Sequence, residues 1–264
     1  MKQKVALITG GTAGIGRKTA LTLAAEGYRV MIAGRSRESG EHLAHEIILK
    51  GGEAAYICTD VSVEKEVIRM VESAVDQYGS IDYLFNNAGT EGVLGPVETN
   101  SETVIDTVLA ANIKGVILCI KHILPLMRQQ KSGVIVNTAS FVGTTMPLPV
   151  AVVYGASKSA VLSITQSVAA SCAEDNIRVY AVCPWVTDTP MADRLTGHNE
   201  EAKAAFGANI NPGGAIVPVE EIAEAVARLF EGTDAINSGE AVLIDKNRVF
   251  NLINPMTLGD PVKL

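Results

Sequence analysis

The stretch KVALITGGTAGIG, residues 4–16, decides the fold. Its apolar run Val5–Ile8 is typical of a buried strand, and the glycines that follow lead into a segment of helical period. Gly10 permits a tight turn, Gly14 lets the backbone approach a pyrophosphate, and Gly16 lets the next helix pack closely on the sheet. Because the first N–H groups of a helix favour an anion, the stretch predicts a dinucleotide-binding turn. The alternative is a glycine-rich turn without a ligand.

The same alternation of short apolar runs and helical segments continues along the chain. The runs are rich in Val, Ile and Tyr and show little polar–apolar alternation, which is typical of strands buried on both faces. The predicted strands are residues 4–9, 29–33, 54–58, 82–86, 133–139, 177–182 and 240–245. The predicted helices are residues 15–26, 36–50, 63–78, 101–127, 153–174 and 219–231. This pattern predicts an α/β fold of the Rossmann type: a doubly wound parallel sheet of about seven strands with helices on both faces, in three αβα layers.

Length and composition indicate one domain. The chain has 264 residues, of which 47% are hydrophobic and 19% charged, so it can bury a large core. A linker rich in Pro, Gly or Ser is absent from the sequence, and we expect residues 1–264 to form a single dinucleotide-binding and catalytic domain. A long stretch at about 184–218 is predicted to be irregular and to act as a substrate loop or lid, because such loops in compact domains usually cover a site.

Charge and residue usage disfavour several classes of protein. The N-terminal apolar run is too short for a signal-peptide core or a membrane span, which predicts a cytoplasmic protein that does not bind membranes. A net charge of -7 without a basic run disfavours nucleic acid as a partner. Cys58, Cys119, Cys172 and Cys183 form no CxxC pair and are interpreted as small apolar residues, and the histidines as core or solvated side chains. No metal site is therefore predicted.

A tyrosine and a lysine share one helical face in VYGASKS, residues 153–159. Tyr154 and Lys158 are four residues apart, within side-chain reach on a helix. A free tyrosine titrates near pH ~10, and an ammonium about 4 Å away would lower its pKa by roughly three units at an effective dielectric of ~20. The spacing thus predicts a phenol tuned for general acid–base catalysis. The YxxxK pattern is common by chance and carries little weight alone.

Polar residues also follow the other predicted strands, where ligands of a doubly wound sheet bind. Ser140, after the fifth strand, can hold a substrate oxygen or merely cap the strand. Asp60 and Val61, after the third, can bind an adenine edge, or Asp60 can cap the next helix. The sequence NNAG, residues 86–89, can line a ribose or form an Asx-type turn. Asn112 lies in a long helical segment, where asparagine is a mediocre helix former.

The end of the second strand bears on the identity of the cofactor. Proteins that bind NAD usually have an acidic residue there, whereas this chain has Gly34 followed by Arg35. Glycine leaves room for a 2′-phosphate, and the planar guanidinium of Arg35 can bind it, assisted by Arg17 and Arg37. The sequence therefore favours NADP, with NAD as the alternative if Arg35 is an ordinary solvated arginine.

Taken together, these motifs resemble those of the short-chain dehydrogenases/reductases, in their compact single-domain branch. The resemblance rests on TGxxxGxG at residues 9–16, on NNAG and on the ordered set Asn112, Ser140, Tyr154 and Lys158, and it extends from residue 4 to about residue 245. It implies that Tyr154 is the general acid or base, Ser140 holds the substrate oxygen, Lys158 tunes the tyrosine and binds the nicotinamide ribose, and Asn112 anchors a proton relay. It implies cofactor contacts from Gly10, Thr12, Gly14, Ile15, Gly16, Arg35, Asp60, Val61, Asn87, Ala88, Gly89, Tyr154, Lys158, Pro184, Thr187 and Thr189.

The activity implied by the resemblance is hydride transfer between a nicotinamide and a carbonyl or secondary alcohol. Candidate pocket residues are mostly apolar, which favours a medium-sized apolar or alicyclic ketone or alcohol. These residues are Glu91, Val93, Phe141, Val142, Pro147, Leu148, Trp185 and Met191.

Three alternatives remain open. One is a 3-oxoacyl thioester reductase, for which Arg194 and Lys203 are the basic residues near the entrance. The second is a dinucleotide-binding redox sensor without turnover, and the third an epimerase of the extended branch. The long helices at 101–127 and 153–174 have apolar residues on more than one face, and family members are frequently tetramers, so a homo-oligomer, tetramer or dimer, is expected.

Three departures from the family pattern stand out. Trp185 occupies a position where the family commonly has glycine, which predicts a different local backbone or cleft shape. The spacing from Ser140 to Tyr154 is one residue longer than the commonest form, which predicts a bulge between them. The last strand ends in IDKN, residues 244–247, where Asp-Gly-Gly is usual, which puts the C-terminal subunit contact in question.

Overall fold

A computed structural model describes residues 3–144, 146–233, 235–246 and 248–252, the last range as backbone only. Its strands are β1 (Val5–Thr9), β2 (Arg29–Gly34), β3 (Glu53–Cys58), β4 (Tyr83–Asn86), β5 (Gly133–Thr138), β6 (Ile177–Pro184), β7 (Ala241–Asp245) and β8 (Arg248–Leu252). They form one sheet in the order β3-β2-β1-β4-β5-β6-β7-β8.

The seven predicted strands are confirmed, and all of them pair in parallel. An eighth strand, β8, was not predicted and runs antiparallel to β7. In the register, Thr9 of β1 pairs with Asn86 of β4, which pairs with Asn137 of β5. The carboxyl ends of these central strands therefore lie side by side. Asn247, part of the IDKN ending, lies outside the described residues.

The six predicted helical segments are present, with two more helices between β6 and the last of them. The helices are α1 (Gly14–Ala25), α2 (Arg37–Leu49), α3 (Glu64–Tyr78), α4 (Glu102–Leu109), α5 (Gly115–Gln130), α6 (Val152–Ser171), α7 (Pro190–Leu195), α8 (Glu200–Ile210) and α9 (Val219–Glu231). The predicted helix 101–127 is interrupted by a π-helical turn, Ala110–Lys114, between α4 and α5.

The prediction that 184–218 is irregular was wrong, because α7 and α8 lie within it. The Thr189 side chain caps α7, whose first residue is Pro190, and the Asn199 side chain caps α8. Proline at the first helical position and Asn or Thr at the N-cap begin helices rather than break them. Prolines and glycines are frequent in irregular loops, but here Pro190 begins α7 and Pro218 is the N-cap of α9.

Strand residues alternate between the two faces of the sheet, and each face has its own core. Ala6 and Ile8 belong to the core that includes buried residues of α1, α2 and α9. Val5 and Leu7 belong to the core on the other face, with buried residues of α3, α5 and α6. The predicted three-layer αβα arrangement is therefore confirmed.

Within the described part of the chain, one helical stretch, Glu102–Gln130, is long and apolar enough to cross a membrane by length and composition. It comprises α4, the π turn and α5. Val116, Ile120 and Ile123 on this stretch are buried in the core of the α3–α5–α6 face. Packing against the sheet therefore accounts for much of its apolar composition.

Candidate active site

The glycine turn after β1 is held tightly against the end of β4. Gly10 has a φ of +61°, and a Cβ there would lie 2.8 Å from the Cα of Ala88. A Cβ at Gly16 would overlap the carbonyl oxygen of Gly10. The side-chain amide of Asn87 donates to the carbonyl oxygens of Thr9, at 3.2 Å, and Gly10, at 3.1 Å. Gly10 and Gly16 are thus required by the packing of this turn, and Asn87 fixes it.

The start of α1 offers unpaired N–H groups to an anion. Its N-cap, Ala13, has no side-chain acceptor, and its first turn carries no acidic residue. Thr12, Gly14 and Ile15 line the same cleft. Because the first N–H groups of a helix and its dipole favour negative charge, this turn fits the diphosphate of a dinucleotide.

The end of β2 has no space for the acidic side chain that NAD-binding proteins usually carry there. A Cβ at Gly34 would lie 2.8 Å from Cγ2 of Thr12, so a larger side chain could fit only if Thr12 moved. Arg35 follows with its side chain exposed at the cleft, beside Ser36. Arg35 therefore places a cation at this end of the cleft.

The two arginines expected to assist Arg35 are held by carboxylates. Arg17 pairs with Glu46, and Arg37 with Glu41 at 3.0 Å. Among the described residues Arg35 forms no such ion pair. It is therefore the arginine best placed for a phosphate, and the expectation that Arg17 and Arg37 contribute is not supported.

Asp60 and Val61 lie at the end of β3 and line the cleft, as expected of adenine contacts. Asp60 Oδ1 also accepts from the backbone N–H of Ser62 at 2.9 Å and from its hydroxyl at 2.7 Å. Burial raises the pKa of Asp60, but the hydrogen bonds from Ser62 and the charges of Arg35 and Lys114 outweigh it, so the pKa lies below its usual value. Asp60 is an ionised carboxylate with its own local role in the turn.

Tyr154, Lys158 and Ser140 meet in the middle of the cleft. Tyr154 and Lys158 lie one turn apart on α6, with Lys158 Nζ 5.6 Å from the centre of the tyrosine ring. Nζ donates to the carbonyl oxygen of Thr138 at 2.7 Å. The Ser140 side chain follows the end of β5, lines the same cleft and lies near enough to the Tyr154 hydroxyl to act on its pKa. The two hydroxyls can therefore reach the same substrate oxygen.

The prediction that Lys158 lowers the pKa of Tyr154 was wrong for the protein alone. Burial raises the pKa of Tyr154 to about 12, with the hydrogen bond to Ser140 acting in the opposite direction and the charge of Glu91 adding to the rise. Burial likewise lowers the pKa of Lys158 to about 8. Desolvation is the largest cause of both shifts, and the charge of Lys158 is not among the causes that act on Tyr154. Near neutral pH the phenol therefore keeps its proton and the lysine is charged.

Asn112 lies in the π turn, fully buried behind the cleft. Its Oδ1 accepts from the N–H of Thr90 at 2.8 Å, and its Nδ2 donates to the carbonyl oxygen of Thr90 at 2.9 Å and to Ser157 Oγ at 2.9 Å. The side chain thus ties the segment after β4 to α6. A Cβ at Gly89 would lie 3.0 Å from Asn112 Oδ1 and 3.5 Å from Lys158 Nζ, so Gly89 permits this close approach. The proton relay implied for Asn112 stays a prediction.

Trp185 is accommodated without glycine-like backbone. It is not among the described residues with positive φ, and its backbone N–H donates to the carbonyl oxygen of Ile244 at 3.0 Å. Its ring stacks on Phe141, with centroids 4.5 Å apart and an interplanar angle of 15°. The hydroxyls of Thr187 and Thr189 donate to backbone oxygens at 2.8 and 3.2 Å. Trp185 therefore changes the wall of the cleft rather than the course of the chain.

The cleft has a volume of about 490 Å³ and brings together most of the predicted site residues. Gly16 and Asn112 lie behind its surface, where they pack rather than line it. Of the candidate pocket residues, Val93 and Pro147 do not line the cleft, and Val93 is exposed. The predicted site residues that line the cleft are Gly10, Thr12, Gly14, Ile15, Arg35, Asp60, Val61, Asn87, Ala88, Gly89, Ser140, Tyr154, Lys158, Pro184, Thr187 and Thr189.

Two charged clusters that include residues of α7 and α8 were not recognised from the sequence. Glu91 forms a two-point ion pair with Arg194 of α7, at 2.8 and 3.1 Å. Lys203 of α8 is nearly buried and has a carboxylate oxygen of Asp188, Asp193 and Glu200 within 3.0 Å. Glu91 and Arg194 are 103 residues apart in the chain, so no local sequence pattern indicates that they pair.

The family model described as short chain dehydrogenase matches residues 4–200, which is most of the chain. The chain belongs to the short-chain dehydrogenase/reductase family. Levodione reductase of Leifsonia aquatica is 34% identical to this short-chain dehydrogenase over 92% of each chain. The crystal structure of levodione reductase superposes with a TM-score of 0.85 and covers 92% of this chain and 96% of its own.

Two further solved structures resemble this short-chain dehydrogenase. A variant of actinorhodin polyketide ketoreductase with NADPH has a TM-score of 0.87 and 32% identity, over 93% of this chain and 97% of its own. The 3-ketoacyl-(acyl-carrier-protein) reductase of Brucella melitensis with NADH has a TM-score of 0.82 and 30% identity, over 92% and 96%. The protein is thus an oxidoreductase that acts on a carbonyl or alcohol group with NAD(P). The neighbours hold either dinucleotide, so they do not decide between them.

Proposed function

We propose that this short-chain dehydrogenase reduces a medium-sized apolar or alicyclic ketone with NADPH and oxidises the corresponding secondary alcohol. The observation that carries the proposal is that the side chains of Ser140, Tyr154 and Lys158 line one cleft, whose volume is about 490 Å³. The walls around them include Phe141, Leu148 and Trp185. Apolar walls with a few convergent polar groups suit a hydrophobic substrate with one carbonyl.

The cofactor would be held by the turn after β1 and by the ends of the next strands. The diphosphate fits the first N–H groups of α1, and the 2′-phosphate fits Arg35 beside Gly34. The adenine fits Asp60 and Val61. The nicotinamide end fits the part of the cleft next to Lys158.

In reduction, Tyr154 donates its phenolic proton to the carbonyl oxygen as negative charge develops there. Bound NADPH supplies the hydride that the carbonyl carbon receives. The hydroxyl of Ser140 donates a hydrogen bond to the same oxygen and keeps it beside the phenol. The ammonium of Lys158 stabilises the phenolate that remains until it regains a proton. Oxidation of the alcohol reverses these steps.

A second candidate substrate class is a 3-oxoacyl thioester, and the likeness to the Brucella melitensis reductase favours it. The acyl carriers of such thioesters are anionic, and Arg194 and Lys203 are the basic residues that the sequence analysis placed near the entrance. In the structure Arg194 pairs with Glu91, and Lys203 with three carboxylates. Because both cations are already neutralised, we favour an uncharged ketone.

A panel of substrates tests the proposal. Alicyclic ketones, open-chain ketones, polyol-derived ketones and a 3-oxoacyl thioester would each be offered with NADPH and with NADH. We expect the highest kcat/KM for alicyclic ketones with NADPH. Preferential reduction of the thioester would replace the proposed substrate class by the second candidate. Binding of NADPH without turnover of any carbonyl or alcohol would indicate a redox sensor.

Arg35→Gln tests the preference for NADPH. Loss of a charge-assisted hydrogen bond to the 2′-phosphate should raise KM for NADPH about 10- to 100-fold and leave KM for NADH within about twofold. Arg37→Gln is the control, because Arg37 pairs with Glu41 on the surface of α2 and should leave both constants nearly unchanged. An equal effect of Arg35→Gln on both dinucleotides would show that Arg35 does not bind the 2′-phosphate.

The proposal includes a cytoplasmic, single-domain subunit that forms a tetramer or dimer. Leu109 and Ile117 on the α4–α5 stretch and Val152 on α6 are exposed apolar side chains, which a second copy would cover. The N-terminal apolar run forms the buried strand β1, which accounts for its composition without a targeting role. Light scattering coupled to size-exclusion chromatography tests the assembly, and a monomer at micromolar concentration would contradict it.

A further inference from the structure

Two charged side chains face each other across the substrate part of the cleft. Glu91 lies in the segment after β4, and Arg194 lies on α7 of the lid. Nε of Arg194 donates to Oε1 of Glu91 at 2.8 Å, and Nη2 donates to Oε2 at 3.1 Å. Two parallel hydrogen bonds fix the orientation of both groups. The pair therefore ties the lid to the segment that Asn112 holds.

The two partners differ in their exposure to water. The side chain of Glu91 is 8% exposed, whereas that of Arg194 is 52% exposed. The carboxylate has lost its water and depends on the guanidinium, because a buried charge without a partner is strongly unfavourable. The guanidinium keeps part of its hydration and would tolerate the loss of its partner. Arg194 can thus be released more easily than Glu91 can be left alone.

The pair lies close to the hydroxyl that would hold the substrate oxygen. Glu91, Arg194 and Tyr154 line the same cleft. Burial is the main cause of the raised pKa of Tyr154, and the charge of Glu91 adds to it, so the carboxylate is near enough to act on the phenol. A substrate bound at Tyr154 therefore shares the cleft with the pair.

We propose that Glu91 and Arg194 are specificity-determining residues that make the cleft reject anionic carbonyl substrates and accept uncharged ones. This inference rests on the proposed function. A carboxylate that enters the cleft meets the negative charge of Glu91, while the guanidinium that would attract it is already bonded. To bind the carboxylate, Arg194 would have to leave Glu91 buried and unpaired. An uncharged substrate disturbs neither group.

The inference predicts a gain of binding when the negative charge is removed. In Glu91→Gln the guanidinium of Arg194 remains beside the cleft and can bind a substrate carboxylate. In the double variant Glu91→Gln/Arg194→Gln this cation is lost, so the gain should disappear. Arg194→Gln alone removes the cation and keeps Glu91, so it should not bind the anion more tightly than the wild type does.

A matched pair of probes separates charge from shape: 4-oxocyclohexanecarboxylate and its ethyl ester. Their binding to the protein–NADP⁺ complex, which has no hydride to transfer, would be followed by the fluorescence of Trp185, the single tryptophan of the chain, which lines the cleft. We expect the dissociation constant of the acid to exceed that of the ester by about 100-fold or more in the wild type. In Glu91→Gln this ratio should fall by about 10-fold or more, because the acid binds more tightly. The double variant should restore the wild-type preference for the ester.

Asp175→Asn is the matched control. Asp175 pairs with Arg128 at 2.8 Å, again as a largely buried acid with a half-exposed arginine, but it precedes the amino end of β6, at the edge of the sheet opposite the cleft. It should leave the ratio unchanged. Equal binding of acid and ester by the wild type, an unaltered ratio in a folded Glu91→Gln, or tighter binding of the acid by Arg194→Gln would overturn the inference.

The test distinguishes this inference from the proposed function. Absence of turnover of every uncharged ketone would refute the proposed function, whereas the binding ratio decides the role of the pair without turnover. If Glu91→Gln does not fold, the comparison of Arg194→Gln with the wild type still decides, because the inference predicts that the variant binds the acid no more tightly and tighter binding would overturn it.

Discussion

Tyr154→Phe is expected to lose turnover by about 10³-fold or more while it continues to bind NADPH. The substitution removes the only atom of this side chain that can donate a proton, and it keeps the ring that fills the start of α6. Ser140 would still hold the substrate oxygen, but a serine hydroxyl is a much weaker acid than a phenol. The transition state would therefore lack a proton donor, and kcat should fall more than KM changes.

The measurement uses the single tryptophan. Trp185 is nearly buried and lines the cleft, so energy transfer from its ring to bound NADPH reports cofactor binding without turnover. Tyr78→Phe is the control, because the buried Tyr78 hydroxyl on α3 has no hydrogen-bond partner among the described residues and lies outside the cleft. It should retain full activity. Wild-type turnover in Tyr154→Phe would remove Tyr154 from its role, and loss of NADPH binding would make its role structural.

Lys158→Met is expected to abolish most activity and yet stabilise the free protein. Burial lowers the pKa of Lys158 from an ordinary 10.5 to about 8, so holding the ammonium in the folded state costs free energy below pH 8. The pKa shift corresponds to a destabilisation of the folded wild type by on the order of 3 kcal/mol. The variant escapes this cost but loses the hydrogen bond to Thr138, which offsets about 1 kcal/mol of the gain. Methionine fills similar space without the charge.

The difference in stability between Lys158→Met and the wild type should depend on pH. A folded pKa below the unfolded one means that the penalty is complete below about pH 8 and disappears as the pH rises through about 10.5. The melting temperature of Lys158→Met should therefore exceed that of the wild type by several degrees near pH ~7, and the difference should close near pH ~10. Both proteins retain Tyr154, whose own titration cancels in the comparison. A wild type that is more stable at neutral pH would contradict the account.

The fold could be predicted because its determinants are local. The strands and helices follow from runs of apolar residues and from helical period, and Gly10 and Gly16 mark a turn that no larger residue could form. Tyr154 and Lys158 were recognised as neighbours because four residues make one turn of a helix. The two lid helices were missed because Pro190 and Gly197 were interpreted as signs of an irregular loop, although they lie at helix boundaries.

The electrostatics of the site could not be predicted in the same way. Spacing showed that Lys158 is near Tyr154, but the direction of the tyrosine pKa depends on how much water the fold removes, which only packing decides. The pairing of Glu91 with Arg194 joins residues 103 apart, and no local pattern connects them. Tertiary structure therefore decides the pKa values and the ion pairs around the substrate, while sequence motifs indicate the type of reaction.

Transfer of deuterium from NADPH labelled at both C4 positions tests the central claim most directly. The wild type would be mixed with an alicyclic ketone and the product analysed by mass spectrometry and NMR, with Tyr154→Phe in parallel. We predict an alcohol that carries one deuterium on its carbinol carbon, formed in amounts equal to the NADPH consumed, and almost none from the variant. Unlabelled alcohol, or equal product from Tyr154→Phe, would contradict hydride transfer assisted by the Tyr154 phenol.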